Sequence, residues 1–535
     1  MQNPVKRHNL QEYMCVVLFC LFCLLFFYFF SYSIIVASDS AHYMSYVDIF
    51  KGISPWSSWD PVRGIVFPLI LSASIVLFGK TGIGLLMCTF LFYVFMLFIL
   101  FRTLEENLEL KSKSKKIFIA LTLLFVIINP IIFGYYHSFL TEFVGITLGV
   151  VGCYISWKYL KVNFETSKKM YVFYSVLLSI LIAFAWSLKQ PYVSTILFPL
   201  LISTLISIFE NFKWKNILQR AVTLFVCIVS LIGSILVWNK FLASKGVDLS
   251  TDRNITTFLG NELVGAIDYF KVVKDDTIYT EEYISNNEFL TDEEKERLRN
   301  YNHGEYLIVN IHGNDGVQLD SEIIEAKNKF VGTFDSIKFI LSEFIKRPIL
   351  ILDSYVANYL AMIDVYKTQS LDSVKHELIR ELDFSFINEN QAIAYRTFYN
   401  PENIFSMPEE RKEKVSSFYQ VSKPPLLLNK FMKSLSTPFN YIFKITFLLL
   451  PFTLIGSVLY RIFSKKRKNH KVLNYIIVAL GFSFLHLLVH VVTGALIDRY
   501  ASPAFITAII GNILLFYILF TNILERFKLW QKIRK

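Results

Sequence analysis

The chain has 535 residues, of which 54% are hydrophobic, and its mean hydropathy is +0.45. This composition excludes an ordinary soluble globule, because several apolar runs reach the roughly 20 residues that a membrane-spanning helix needs. The net charge is +11, yet residues 241–440 carry 22 Lys/Arg and 31 Asp/Glu. The excess of basic residues therefore lies in short segments beside the apolar runs, which is typical of membrane topology signals and not of a nucleic-acid-binding surface.

The cysteines and the absence of common cofactor motifs give no support to a disulfide-stabilised domain or to a nucleotide- or metal-binding protein. The six cysteines all lie within apolar runs, so we expect no disulfide framework in an external domain. No CxxC, Walker or GxGxxG motif occurs, which leaves nucleotide and metal–thiolate chemistry without support. The first apolar run lacks a small-x-small cleavage site, and we expect a retained helix in place of a signal peptide.

Ten apolar runs are predicted to span the membrane: residues 12–37, 82–101, 116–134, 143–160, 171–188, 192–209, 221–239, 441–460, 472–493 and 503–521. A further run at 65–78 is short. If it lies as a helix on the outer leaflet, every strongly basic loop falls on one side, as the positive-inside bias requires. The sequence thus predicts an all-α polytopic membrane protein with both termini in the cytoplasm.

Three parts are expected along the chain. Residues 1–240 form a membrane core of seven helices, with a first outer loop at 38–81. Residues 241–440 form an acidic extracytoplasmic segment, either mixed α/β or mainly helical. Residues 441–535 form a C-terminal membrane part of three helices with a basic cytoplasmic tail.

Asp39 has the most informative position in the chain, because it follows directly on the first apolar run, Gln11–Ala37. A carboxylate at the mouth of a membrane helix can reach lipid head groups and an aqueous substrate together. Ionisable groups at such boundaries are costly to hold and are functional hypotheses by default. The simpler interpretation is that Asp39 ends the helix and marks the water interface.

The other outer loops add one acid and two cations. Glu142 lies in the second loop, Lys189 in the third and Arg499 in the last. An anionic substrate with one hydroxyl to be activated suits this arrangement. Each residue also has a structural interpretation, since Glu142 can interact with the N-terminal dipole of its helix and the cations can be boundary residues. His486 and His490 are one helical turn apart, and we interpret them as bundle histidines because no nearby carboxylate completes a metal set.

Five segments resemble the GT-C superfamily, the membrane glycosyltransferases that use polyprenyl-phosphate sugars: Asp39–Tyr43, Arg63–Ile70, Leu77–Gly79, Tyr136–Glu142 and Arg499–Pro503. Protein O-mannosyltransferases, aminoarabinose transferases of lipid A and the catalytic subunit of oligosaccharyltransferase belong to that superfamily. The shared core is the first seven helices with an interfacial helix in the first loop.

The resemblance implies roles for individual residues. Asp39 would be the catalytic base, and Glu142 would orient the acceptor or help to hold a metal. The expected substrate contacts are Lys189, Arg499, Arg63, His42, Tyr43 and Tyr500. Family members often have a second acid directly after the first and a paired motif in the second loop, whereas Ser40 follows Asp39 and Glu142 stands alone. No metal ligand is therefore assigned, and Mg²⁺ or Mn²⁺ is the ion that such an oxygen-rich site would take.

The implied activity is transfer of a sugar, with inversion, from a polyprenyl-phosphate donor to a hydroxyl of a glycan, glycolipid or protein acceptor. It would take place on the extracytoplasmic face of the cell (inner or plasma) membrane. One alternative is a polymerase or ligase of lipid-linked oligosaccharides, in which Asp39 would be dispensable. Another is a flippase or transporter of lipid-linked glycans, which predicts charges at mid-membrane and inverted repeats; the spans are nearly free of charge and show no repeat.

Overall fold

The structure is a computed structural model. It describes residues 23–247 except 37, 61–62, 109–111, 163, 166 and 211, the single residues 345, 356, 359, 363 and 415, and residues 425–534 except 465–469 and 494–497. The expected acidic segment, with its mixed or mainly helical content, lies almost wholly outside these residues. Of the first predicted span, 12–37, residues 12–22 and 37 also lie outside them. Its residues 23–30 are helical, whereas residues 31–36 are not.

The described residues are mostly helical. In chain order the α-helices are α1 (residues 23–30), α2 (Ser38–Phe50), α3 (Val66–Phe78), α4 (Gly82–Asn107), α5 (Ser112–Ile127), α6 (Pro130–Tyr136), α7 (Glu142–Leu160), α8 (Lys168–Leu188), α9 (Ser194–Glu210), α10 (Trp214–Ser244), α11 (Leu426–Phe463), α12 (His470–Thr493) and α13 (Ser502–Arg534). Short 3-10 turns cover Trp56–Ser58, Gln190–Val193 and Asp498–Ala501. No strand forms within the described ranges, which contain two isolated β-bridges.

Eight helices of the described chain are long and apolar enough to cross a membrane, and a ninth span results if the bent pair α5–α6 counts as one. These helices make the chain a multi-pass membrane protein. In a bilayer core the backbone has no water to bond with, and a helix satisfies its N–H and C=O groups internally. Helix α3 has 13 residues and a length of about 20 Å, short of the roughly 30 Å hydrocarbon core.

The predicted span 116–134 is not one straight helix. It bends by 62° between α5 and α6. Pro130 lacks an N–H group and occupies the first turn of α6, where none is needed. The side chain of Asn129 accepts hydrogen bonds from the backbone N–H groups of Ile131 and Ile132, at 3.0 and 3.2 Å, and so caps the new helix.

Helix α7 lies at the centre of the bundle and packs on α4, α9 and α13. Glycines on its surface permit this close packing. A Cβ atom at Gly152 would lie 2.0 Å from the carbonyl oxygen of Thr195, and one at Gly149 would lie 2.3 Å from that of Pro503. Small residues let membrane helices approach closely and gain van der Waals contact. This packing fixes the N-terminus of α7, where Glu142 lies.

Two segments that precede α2 and α7 run side by side. Ile35 and Ser138 form a parallel bridge, in which the N–H of Ile35 donates to the carbonyl of His137 at 2.6 Å. The buried hydroxyl of Ser40 donates to the carbonyl of Phe139 at 2.9 Å. The first turn of α2 is therefore attached to the turn that leads into α7.

Candidate active site

A buried ion pair joins the second and third predicted outer loops. Glu142 is the first residue of α7 and its carboxylate is 1% exposed. Lys189 follows the last residue of α8, and its side chain is 14% exposed. The Lys189 ammonium lies 3.3 Å from Oε1 of Glu142. A carboxylate at a helix N-terminus is favoured by the helix dipole, and here a cation also compensates its burial.

The backbone of Lys189 also pairs with that of Arg63, another of the predicted cationic residues. Lys189 adopts an extended conformation after α8 and forms an antiparallel bridge with Arg63. Gly64 makes the approach possible, since a Cβ atom there would lie 2.1 Å from the carbonyl oxygen of Ser187. The indole N–H of Trp59 donates to the carbonyl of Arg63 at 3.1 Å. The segment that carries Arg63 is thus fixed against the end of α8.

Tyrosine rings surround the two cations. The Lys189 ammonium lies 4.7 Å from the ring centroid of Tyr500 and 5.8 Å from that of Tyr192. The guanidinium carbon of Arg63 lies 5.9 Å from the ring centroid of the buried Tyr43. Rings at such distances attract cations through their negative faces. They leave the charged groups partly desolvated, which strengthens their contact with an anion.

A histidine network positions Tyr500. His486 on α12 has one ring nitrogen 2.7 Å from the Ser194 hydroxyl and the other 2.8 Å from the Tyr500 carbonyl oxygen. The ring of His490 stacks on that of Tyr500, with centroids 5.1 Å apart. Both nitrogens of His486 therefore have polar partners, which agrees with its interpretation as a bundle histidine. No pattern in the sequence predicts a role in the site for His486, Trp59 or Tyr192, because only three-dimensional contacts relate them to Lys189 and Arg63.

The structure thus brings together Glu142, Lys189, Arg63, Tyr43 and Tyr500 of the predicted residues. His42 lies on α2 and is exposed. The backbone of Asp39 lies in the first turn of α2, and that of Arg499 in the 3-10 turn before α13. The side chains of these last two residues are outside the described part of the chain, and their predicted roles stay predictions.

The arrangement supplies positive charge next to a shielded carboxylate at one end of the bundle. Arginine suits bidentate contact with a phosphate, and lysine acts as a point charge. Within the described residues, no three His, Cys, Asp or Glu side chains gather into a group that could hold a metal ion. Comparison with protein-family models, with curated proteins and with solved structures finds no match to this chain.

Proposed function

We propose that the chain is an integral membrane glycosyltransferase of the GT-C type. It moves a sugar, with inversion, from a polyprenyl-phosphate donor to an acceptor hydroxyl on the extracytoplasmic face of the cell membrane. The observation that carries the proposal is the buried pair of Glu142 and Lys189, with Arg63 attached to Lys189 through the backbone bridge. Two cations at the end of apolar helices suit a donor whose phosphate lies at the lipid surface.

The chemistry follows from these charges. Asp39 takes the proton of the acceptor hydroxyl, and the oxygen attacks the anomeric carbon on the face opposite the phosphate. The bond between that carbon and the phosphate oxygen breaks, and its electron pair stays on the oxygen. A phosphate monoester has a second pKa near 6, so its departure needs no strong acid. Lys189 and Arg63 neutralise the charge of the leaving phosphate, with Arg499 as the third cation.

Glu142 has a separate role in this proposal. Its pairing with Lys189 holds the ammonium at the site before the donor arrives, and the freed carboxylate then orients the acceptor hydroxyl. The pre-placed cation costs no reorganisation when charge develops on the leaving group. Asp39, as the positioned base, accelerates the attack by about 10²–10⁴-fold.

The test measures sugar transfer in membranes that contain wild type, Asp39→Asn, Arg63→Ala or Arg63→Lys, with the amount of folded protein checked for each. The readouts are consumption of radiolabelled polyprenyl-phosphate sugar and the mass of the glycan product. Asp48→Asn is the matched control for the carboxylate, since Asp48 lies near the other end of α2. Lys51→Ala, an exposed cation of the same loop, is the control for Arg63. EDTA in parallel samples tests for dependence on Mg²⁺ or Mn²⁺.

We expect Asp39→Asn to lose at least 100-fold in transfer and the lipid donor to accumulate, while both controls keep wild-type activity. Arg63→Lys should retain more activity than Arg63→Ala, because it keeps the charge. Unchanged transfer by folded Asp39→Asn would overturn its role as the base. Consumption of a lipid-linked oligosaccharide in place of a single sugar would favour the ligase alternative, and movement of the donor across the membrane without transfer would favour the flippase.

A further inference from the structure

A second cluster of charges lies at the opposite end of the 19-residue helix α7, about 22–28 Å from Glu142 along the helix axis. Three lysine ammonium groups surround the indole of Trp157. Lys161 lies 2.9 Å from the ring centroid, and Lys158 and Lys471 each lie 5.9 Å from it. These three lysines and Trp157 are called the Trp157 cluster below.

Positive charge exceeds negative charge in the Trp157 cluster. In the described ion pairs, the carboxylate near these lysines is that of Glu106. The Lys158 ammonium lies 2.6 Å from its Oε2. Lys161 is 3.9 Å from the same carboxylate, beyond hydrogen-bond distance. Lys471 donates to the main-chain carbonyl of Glu106 at 2.9 Å and not to its carboxylate. Arg102 also reaches the Glu106 carboxylate, at 3.5 Å, and pairs with Glu105 at 2.6 Å. Two carboxylates thus face four cations, which leaves an excess of positive charge.

The cluster is both rigid and open. Trp157 is fully buried, and its N–H donates to the carbonyl of Lys471 at 3.2 Å, so the indole is a fixed wall. The Lys161 side chain is 31% exposed, and Lys471 is exposed. An anion can therefore approach Lys161 and Lys471 from outside. Partial burial and the neighbouring ammonium groups lower the pKa of Lys161 to about 7, and a bound anion would favour the charged amine and so raise this pKa again.

The position in the bundle indicates which anion would bind. The cluster lies where α4 and α7 end and α12 begins, at the end of apolar helices, where lipid head groups are expected. Lys113 and Lys116 add exposed cations at the start of α5, which packs on α4. Basic pockets between membrane helices bind anionic lipid head groups. We propose that the Trp157 cluster binds the phosphate of an anionic phospholipid, held by Lys161 and Lys471.

The proposal does not depend on the transfer reaction, and its test uses thermal unfolding of the full chain in zwitterionic detergent. Phosphatidylglycerol, phosphatidylcholine and inorganic phosphate are added separately at equal concentrations. A ligand that binds only the folded state raises Tm. We expect phosphatidylglycerol to raise the Tm of the wild type by about 3 °C and the other two to leave it unchanged.

The variant Lys161→Gln/Lys471→Gln should lose this shift. The matched control is Lys168→Gln/Lys215→Gln, which removes two lysines from the starts of α8 and α10. An equal shift in both double variants would overturn the site, since it would report general attraction to the surface. An equal shift with inorganic phosphate would overturn the assignment to a lipid.

A second measurement serves if the double variant does not fold. In the wild-type protein, phosphatidylglycerol should slow acylation of the Lys161 and Lys471 amines, mapped by mass spectrometry, at least threefold relative to Lys168 and Lys215. Equal protection of all four amines would overturn the proposal.

Discussion

The ammonium of Lys189 lies 3.3 Å from Oε1 of Glu142, in a place where the carboxylate is 1% exposed. The two residues meet through the packing of α7 against α8, and both side chains are largely shielded from solvent. Removing one member of a buried pair leaves an uncompensated charge, which costs about 3–5 kcal/mol, whereas replacing both members with apolar residues is often neutral.

We therefore expect Lys189→Met to lower the Tm markedly and Glu142→Leu/Lys189→Met to recover most of the loss. Thermal unfolding of the two variants in one detergent checks this. The double variant should fold but still show no sugar transfer, because it lacks the Lys189 cation. A double variant as unstable as Lys189→Met would contradict the pairing.

Close packing of α7 on α9 predicts a contrast between two glycines. Gly152→Ala places a Cβ atom 2.0 Å from the Thr195 carbonyl oxygen, and we expect a loss of about 1–3 kcal/mol in the free energy of unfolding. Gly233 lies within α10 with nothing within 4 Å of such an atom. Gly233→Ala should therefore be neutral or stabilise by up to about 1 kcal/mol. Denaturant titrations of both variants measure the contrast, and equal effects would contradict the packing.

Arg220 is a buried cation on α10 that donates hydrogen bonds to the C-terminal end of α7. Its guanidinium donates to the carbonyls of Tyr159, Leu160 and Val162, at 3.0, 3.3 and 2.7 Å. Tyr159 and Leu160 belong to the last turn of α7, where carbonyl groups lack the usual N–H partner four residues on, and Val162 lies just beyond the helix. We expect Arg220→Met to lower the free energy of unfolding by about 3 kcal/mol, because hydrogen bonds from a charged group contribute about 1.5–3 kcal/mol each and do not add fully. Lys215→Gln, five residues earlier on α10 and exposed, should change it by less than about 0.5 kcal/mol.

Burial of His137 predicts a pH dependence. This residue lies in the turn between α6 and α7, with its ring nitrogens 2.8 and 2.9 Å from the carbonyl oxygens of Phe133 and Phe29. Burial lowers the pKa of His137 to about 4, although the two carbonyls favour the charged form. The unfolded chain then binds a proton near pH 6.5 that the folded chain does not bind until pH 4. Stability is full above pH 6.5 and falls by up to about 3 kcal/mol as the pH drops to 4. His137→Gln should flatten the difference in Tm between pH 7 and pH 4.5.

Lys161 predicts a dependence at alkaline pH. Partial burial first, and then the Lys471 and Lys158 ammonium groups, lower its pKa to about 7 against the opposing effect of Glu106. The unfolded chain keeps this proton up to about pH 10. The free energy of unfolding should therefore rise with pH between about 7 and 10. Subtracting the rise measured for Lys161→Gln from that of the wild type gives the contribution of Lys161. Phosphatidylglycerol should reduce this contribution. NMR of reductively methylated protein reads the pKa of Lys161 directly.

Among the described residues, the sequence by itself located the eight helices that are long and apolar enough to span a membrane. Apolar runs of about 20 residues must satisfy their backbone groups internally, and local composition is enough to find them. The runs at 143–160 and 472–493, for example, become α7 and α12. It also indicated that residues 65–78 are too short to span, and that His486 is a bundle histidine. The bend at Asn129 was missed, although a capping residue before Pro130 was a usable signal.

Only the tertiary structure decided which charged residues meet. Glu142, Lys189 and Arg63 come from three separate connections, and no local pattern distinguishes a paired boundary charge from a solvated one. Their contact depends on Gly64, which admits the end of α8, and on the glycines of α7, which set the position of Glu142. Such contacts join residues far apart in the chain, and only the packing of several helices together fixes their distances. For the same reason, Lys161, an ordinary boundary lysine in the sequence, becomes part of the Trp157 cluster only in the folded bundle.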